Sequence, residues 1–347
     1  MKVVSRQSRP ASWWSKPTAL TTATATVAIA AAVSPHAAVA QTLNFARAPS
    51  ELREILRASE WEILRATPSR GTPGERTQQL TVQLPDSTIL LMKYAPATPG
   101  ADEFNNQPRF EIGAYEVQKL YLNEDDYVVP PTVARAYPIE DVRAVMEMAG
   151  GEPDLVEETW REWPMTLVVL QYWLLSVSPP DDLRDLRRDA DRDGGALALR
   201  AANFNLLTYL IGHNDANQGN YLISSHPDDP VVFSVDNGVA FSSFGSNRRS
   251  DWRRLILEKY PQSAADRLRE VTLDDLHARL GVLAEFRLIE DRWRSAEPGA
   301  NMNPGRGIRV GDSTIQLGLS DDEIEQVFRR VTEFVEGMDS GRWDPIP

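Results

Sequence analysis

His213-Asn214-Asp215-Ala216-Asn217-Gln218-Gly219-Asn220, running into the apolar Tyr221-Leu222-Ile223, is the stretch on which the fold turns. Its companion follows shortly: Val232-Phe233-Ser234-Val235, then Asp236-Asn237-Gly238. An Asp, an Asn five residues on, and a strand ending in Asp-x-Gly divide three chemical tasks. Asp215 can accept or orient the proton of an attacking hydroxyl, while the Asn220 carbonyl and Asp236 can hold magnesium on nucleotide phosphates. The spacing suits a short loop that turns base and metal ligand into one cavity, and Gly238 is placed to let the backbone bend after Asp236.

Asp, Asn and Gly are also ordinary turn formers, and so short a pattern is only a hypothesis. Its flanks give it weight. An apolar helical stretch, Phe204 to Ile211, precedes the loop, and two β-type runs follow, Tyr221 to Ile223 and Val231 to Val235, separated by a turn from Ser224 to Pro230. Helix, polar loop, strand, turn, strand and Asp-x-Gly come in the order such a site requires.

"LIGHNDANQGNYLI" and "VFSVDNGVAFS" resemble the catalytic and metal-binding segments of the atypical kinases. These include the phosphatidylinositol 3/4-kinase catalytic domains, type II phosphatidylinositol 4-kinases among them, the secretory-pathway four-jointed and Golgi casein kinase type, and HipA-like kinases. "SDWRRLILEKYP" (Ser250 to Pro261) is similar to the segment after the metal Asp in the phosphatidylinositol kinases. Upstream, "STILLMKYAP" (Ser87 to Pro96) resembles the strand whose lysine, here Lys93, contacts nucleotide phosphates. "RFEIGAYEVQKLYLNEDDYVVPPTVARAY" (Arg109 to Tyr137) resembles the next helix and strand; there the resemblance implies a glutamate paired with the lysine, for which Glu111 fits best and Glu116 is the alternative. "MTLVVLQYWLL" (Met165 to Leu175), with Gln171, resembles the strand and hinge that hold the adenine. Trp163, Tyr172 and Trp173 lie near that hinge, where a packing role weighs at least as much as an adenine wall. The similarity runs from about Trp61 to Tyr260, with its segments in order.

The resemblance implies an α+β, two-lobed kinase-like fold: a β-rich amino lobe with one key helix (41–177) and a mainly helical carboxy lobe (178–347). It implies an ATP-dependent phosphotransferase using Mg2+ or Mn2+, with a protein, lipid or small-molecule hydroxyl as acceptor. A catalytically weak nucleotide-binding or protein-binding module is the alternative. Asp215 and Lys93 would be catalytic. Lys93, Glu111, Gln171, Gly71 and Gly74 would hold the nucleotide, and Asn220 and Asp236 the metal. The pattern departs from ordinary kinases in two places. Asn214 stands where they carry Arg, which removes the usual anchor for a phosphorylated activation loop. The first hairpin, Glu62 to Leu84, has Gly71 and Gly74 but no G-x-G-x-x-G; its backbone N–H groups could still cradle a phosphate, or it is a plain flexible turn.

The ends and composition add an address. Lys2, Arg6, Arg9 and Lys16 precede the low-charge stretch Ala19 to Val33, and Ala38-Val39-Ala40 precedes Gln41. That order reads as a cleaved secretory signal peptide (1–40), with export to a periplasm or the exterior. Losing it takes the formal charge from −13 to −17, which disfavours nucleic acid and anionic membrane as partners. No segment is apolar and long enough for a stable membrane span after cleavage. The chain has no cysteine, so thiolate chemistry and disulfides are excluded. Of the histidines, His213, His226 and His277 lie beyond residue 40, scattered, and His213 reads as a structural loop residue. The acidic segment Ile139 to Trp163 reads as an insertion near the cleft. Asp189-Ala190-Asp191-Arg192-Asp193-Gly194 matches half a calcium loop, but Arg200 stands where a bidentate Glu belongs. A helix from Ser50 to Leu64 opens the amino lobe. A last helix begins at the capping box Ser320-Asp321-Asp322-Glu323, with Ile324, Val327, Val331 and Phe334 facing the core.

Overall fold

The computed structural model describes residues 44–71, 74–103, 107–180, 183–193, 195–226, 228–241 and 251–347. The signal peptide, Gly194 and Ser250 lie outside them. The fold is α+β, with eight α-helices among the described residues.

The amino-terminal half opens with α1 (Pro49–Ala58), which has proline in its first turn, where a missing N–H costs little. α1 stops short of Leu64 because Glu62–Pro68 forms β1 instead. A register irregularity between Ile63 and Arg65 leaves Leu64 exposed, so the buried Ile63 and Ala66 stand three apart and imitate a helical period. With β2 (Gln78–Gln83), β3 (Ile89–Pro96), β4 (Thr132–Pro138) and β5 (Met165–Tyr172), β1 builds an antiparallel sheet in the order β1-β2-β3-β5-β4. In β3 the alternation puts Leu90, Met92 and Tyr94 on one face and Lys93 on the other. All eight residues of β5 are buried, as in a strand covered on both faces. α2 (Pro108–Gln118) covers the Lys93 face, and α1 with α3 (Ile139–Met148) covers the opposite one. There Ile139, Val142, Val145 and Met146 pack against Leu80, Val82, Met92 and Leu170. The helix of the acidic insertion, α3, is therefore behind the sheet because its apolar stripe needs the apolar face, whereas Trp160 and Trp163 at the insertion's end pack into the other core.

The carboxy-terminal half starts with β6 (Val177–Ser178), α4 (Leu183–Asp193) and α5 (Ala196–Leu210). β7 (Tyr221–Ser224) pairs antiparallel with β6 on one side and with β8 (Val232–Ser234) on the other, in the order β6-β7-β8. α5 is the core helix of this half, and its buried Asn205 anchors the segment from Trp252 to Tyr260. The Asn205 amide donates to the Trp252 and Arg254 carbonyls, and its oxygen accepts from the Ile256 N–H and the Tyr260 hydroxyl. β9 (Lys259–Pro261), α6 (Gln262–Arg269) and α7 (Leu273–Leu280) come next.

A four-stranded antiparallel sheet succeeds them: β10 (Ala284–Ile289), β11 (Arg292–Ala296), β12 (Ile308–Val310) and β13 (Thr314–Leu317), ordered β11-β10-β13-β12. The sequence reading does not anticipate this sheet, though helices still account for more of this half than strands. α8 (Asp321–Asp339) buries Ile324, Val327, Val331 and Phe334 as its spacing predicts, and β14 (Asp344–Ile346) closes on β9 in parallel.

The two halves meet along α2. Arg109, two residues before Glu111, forms a paired bond with Glu323 at 2.5 and 2.9 Å and also donates to the Gly318 carbonyl. Glu323 is at the same time the capping-box acid of α8, accepting from the Ser320 N–H. Trp163 packs edge-on against Trp160 and Trp293, and Tyr172 packs against Phe45 on the α1 side of the sheet. Tyr172 therefore lies on the face opposite Lys93. The calcium pattern is also spent on helix: Asp189 pairs with Arg188 and Arg192 along α4, and Arg200 binds Asp126 and Asp229. Among the described residues no helix is long and apolar enough to cross a membrane.

Candidate active site

On the cleft side of the first sheet, Lys93 sits opposite Gln171 on β5, and Gln171 opposite Thr132 on β4. Gln171 is buried and its Nε2 donates to the Thr132 hydroxyl oxygen at 2.9 Å. The Lys93 ammonium donates to Glu111 Oε1 at 2.9 Å, with side chains only 14% and 5% exposed. Glu111 is thus the carboxylate that meets the lysine; Glu116 is occupied with Lys119 and Arg53 on the outer side of α2. Breaking a pair this buried by removing one partner costs about 3–5 kcal/mol, because the other charge is left uncompensated.

The loop carrying Asp215 leaves α5 through a left-handed cap. Gly212 has φ 58°, its N–H donates to the Tyr209 carbonyl, and the His213 N–H reaches back to the Thr208 carbonyl. A Cβ at Gly212 would come within 2.7 Å of the Arg330 guanidinium. From there the chain folds on itself. His213, fully buried, accepts the Asp215 N–H on Nδ1 at 3.3 Å. Asn217 donates through Nδ2 to Asp215 Oδ1 at 2.7 Å, while its own oxygen takes the Gly219 N–H. Asn220 donates through Nδ2 to the Asp215 carbonyl at 2.8 Å. Asn214 receives a bond from Arg253 at 3.0 Å, and its N–H donates to the Val239 carbonyl.

The second segment is stitched to the first. The Val235 N–H donates to the Asn220 carbonyl, which sets Asp236 beside the loop. Asp236 itself takes the left-handed backbone, φ 60°, two residues before the glycine to which the sequence assigns the bend. Its Oδ1 accepts from Lys93 at 3.3 Å and its Oδ2 from Arg70 at 3.2 Å. The next N–H, that of Asn237, donates to Glu111 Oε2 at 3.1 Å, and the Ser234 hydroxyl donates to Asn237 Oδ1 at 2.6 Å. Glu111 therefore joins strand, helix and Asp-Asn-Gly turn in one network.

Charge compensation fixes the ionisation states. Burial alone would lower the Lys93 pKa, but the Glu111 and Asp236 carboxylates outweigh it and hold the ammonium above its usual range. Lys93 in turn keeps the Asp236 carboxyl below the ordinary aspartate range, against the opposing effect of burial, with Arg70 adding to the lowering. His213 is pushed down to about 4 by burial, despite the pull of Asp236 and Asp215. It is neutral at physiological pH and serves as a hydrogen-bond acceptor, not a base.

Among the described residues no group of three or more His, Cys, Asp or Glu side chains is arranged to hold a metal. Asn220 and Asp236 nevertheless fit magnesium or manganese. The Asn220 amide nitrogen is committed to Asp215, which turns its Oδ1 the other way, and Asp236 supplies charge. Magnesium is ordinarily held by one or two such groups plus phosphate and water oxygens.

Gly71 and Gly74 lie in the 69–77 connection of the first hairpin, and only Gly74 needs a positive φ (78°). A Cβ on either would touch nothing within 4 Å. What joins the hairpin to the site is Arg70. Sequence reasoning missed Arg70, Asn217 and the Asn237 N–H. Asn217 could have been found as a side chain positioned to close an Asx-type turn two residues after Asp215. Arg70 and the Asn237 N–H leave no local signal, since their partners lie 166 and 126 residues away. The chain matches no protein-family model and no curated protein.

Proposed function

We propose that the protein is an exported atypical kinase that transfers the γ-phosphoryl group of ATP to a hydroxyl. The observation that carries this reading is the position of Lys93. It lies on the third strand of the sheet, paired with Glu111 of the following helix and bonded to the aspartate of Asp-Asn-Gly. A strand lysine, a helix glutamate and a metal-binding aspartate brought together are the parts a kinase must have in place. The sheet order, and the stitching of Asn220 to the strand that delivers Asp236, support the same two-lobed reading.

In this reading Lys93 neutralises phosphate charge, and Glu111 keeps it charged and aimed. Asn220 and Asp236 hold the divalent cation, which supplies charge neutralisation on the phosphates. Asp215, oriented by Asn217, takes or directs the proton of the acceptor hydroxyl. Gln171 borders the nucleotide pocket beside Lys93. Little covalent chemistry falls to the protein; positioning and charge do most of the work. The acceptor is a hydroxyl of a protein, lipid or small molecule.

The test is incubation of the purified protein, alone and with periplasmic extract, with γ-labelled ATP and Mg2+ or Mn2+, followed by mass spectrometry. Label on a hydroxyl supports the proposal and names the acceptor class. Thermal stabilisation by ATP and metal without transfer makes the protein a nucleotide-binding module. Neither stabilisation nor transfer removes the kinase reading.

A further inference from the structure

Asp236 is held by two cations of very different mobility. Both of its oxygens are bonded to cations, Oδ1 to Lys93 and Oδ2 to Arg70, so a divalent cation entering there would meet two positive charges as well as the carboxylate. Lys93 cannot leave cheaply. It is buried and tied to Glu111. Arg70 can. Its side chain is 63% exposed, and the bond to Asp236 is its one polar contact among the described residues. It stands next to Gly71, and the hairpin connection that carries it has open space around its glycines. An exposed ion pair of this kind is weak.

We propose that Arg70 is an exchangeable phosphate ligand: it covers Asp236 while the site is empty and passes to the nucleotide's phosphate oxygens when metal and nucleotide enter. This rests on the kinase reading above. Two forces drive the exchange. A divalent cation at Asp236 repels the guanidinium, and the polyphosphate attracts it. The planar fork of arginine matches two phosphate oxygens at once, which the point charge of lysine does not. The same residue explains how the hairpin manages without G-x-G-x-x-G. It brings a charged side chain to the place where a glycine-rich loop would bring backbone N–H groups.

The proposal makes the two ligands respond in opposite directions to one substitution. Arg70→Gln sits on an exposed hairpin, and its unfolding midpoint without ligand should match the parent's. Manganese alone, measured by the electron paramagnetic resonance signal of the free ion, should bind roughly two- to fivefold more tightly, because its competitor is gone. ATP with magnesium, measured by calorimetry, should bind about tenfold more weakly through loss of a charged hydrogen bond, whereas adenosine affinity should not change. Arg70→Lys should fall between parent and Arg70→Gln for ATP. If Arg70→Gln leaves both affinities unchanged, or shifts both in the same direction, Arg70 is not exchanged between them. If the parent binds neither ATP nor manganese, the kinase reading fails and the exchange fails with it. If the parent binds both and the opposed shifts are absent, the exchange alone is wrong.

Discussion

Two carboxylates face this site, and they are held by different means. Asp236 is surrounded by charge: Lys93 on one oxygen, Arg70 on the other, and a left-handed backbone that turns it toward them. Asp215 is tied to its own loop: the Asn217 amide donates to Oδ1, the Asn220 amide to its carbonyl, and its N–H donates to the His213 ring. A carboxylate held by cations is committed to the charged form and suits a role as a metal ligand. Asp215, oriented by the amides of its loop, is the carboxylate to which the proposed mechanism gives the acceptor proton. In the proposed function these two residues of the same chemistry would do different work, and the variants below separate them.

Removing the cation-held member should have the largest effect. Asp236→Ala is expected to lose magnesium-dependent nucleotide binding and to drop turnover below detection, with the fold intact because little core is removed. A variant that turns over ATP like the parent would falsify the metal assignment. Asp215→Asn should separate the two roles. The amide keeps the shape but cannot accept a proton, so transfer should fall by about 10²–10⁴-fold while thermal stabilisation by ATP and metal stays near the parent's. Loss of ATP binding in this variant would move Asp215 into the metal shell and erase the distinction.

Much of this arrangement can be read along the chain, and what cannot has a physical cause. The Asp215 loop is legible because its bonds are local: Gly212, Asn217 and Asn220 act within a few residues. The Lys93 strand shows itself by alternation, and α8 by its capping box and apolar spacing. The four-stranded sheet is hidden because β10 and β11 are short and carry Arg287, Arg292 and Arg294. Their connecting turn uses Glu290 and Asp291 at φ 49° and 60° in place of the Asn-Gly signal such a turn normally shows. α2 is hidden in another way. Phe110, Glu111, Ile112, Gly113, Ala114 and Tyr115 are all buried, so no amphipathic stripe marks its inward face, and the preference for Glu111 over Glu116 comes from the resemblance and not from periodicity.

Next in size are the residues that compensate Asp236. Lys93→Met keeps aliphatic volume but strands Glu111 without its cation. ATP binding and turnover should fall, and unfolding free energy should drop by about 3–5 kcal/mol, read by urea denaturation without ligand. Glu111→Gln should be milder in both respects. The amide can still accept from the Asn237 N–H, and Asp236 remains to charge Lys93. Glu116→Gln should be close to silent on turnover, as its partners Lys119 and Arg53 lie outside the site. If Glu116→Gln is the damaging change and Glu111→Gln is silent, the pair that aims Lys93 is not the one with Glu111.

The smallest effect at neutral pH concerns the ring that supports the amide-held carboxylate. His213 is buried and its pKa is pushed down to about 4, against an ordinary value of 6.5. In the unfolded chain it takes up a proton as the pH falls through 6.5; in the folded protein it stays neutral until about 4. The unfolded state therefore binds more protons across this window, and stability declines as pH drops through it. For this one group the loss is about 3 kcal/mol, large beside a typical domain stability of about 5–15 kcal/mol. A proton on Nδ1 would also remove the acceptor of the Asp215 N–H, so the loop that orients Asp215 should loosen over the same range. His213→Asn keeps an acceptor near Nδ1 without a titrating ring. Its urea-derived stability should be lower than the parent's at pH 7, where the smaller side chain packs less well, yet change less between pH 6.5 and 4. Parallel pH profiles for parent and variant would show that His213 is not the group responsible.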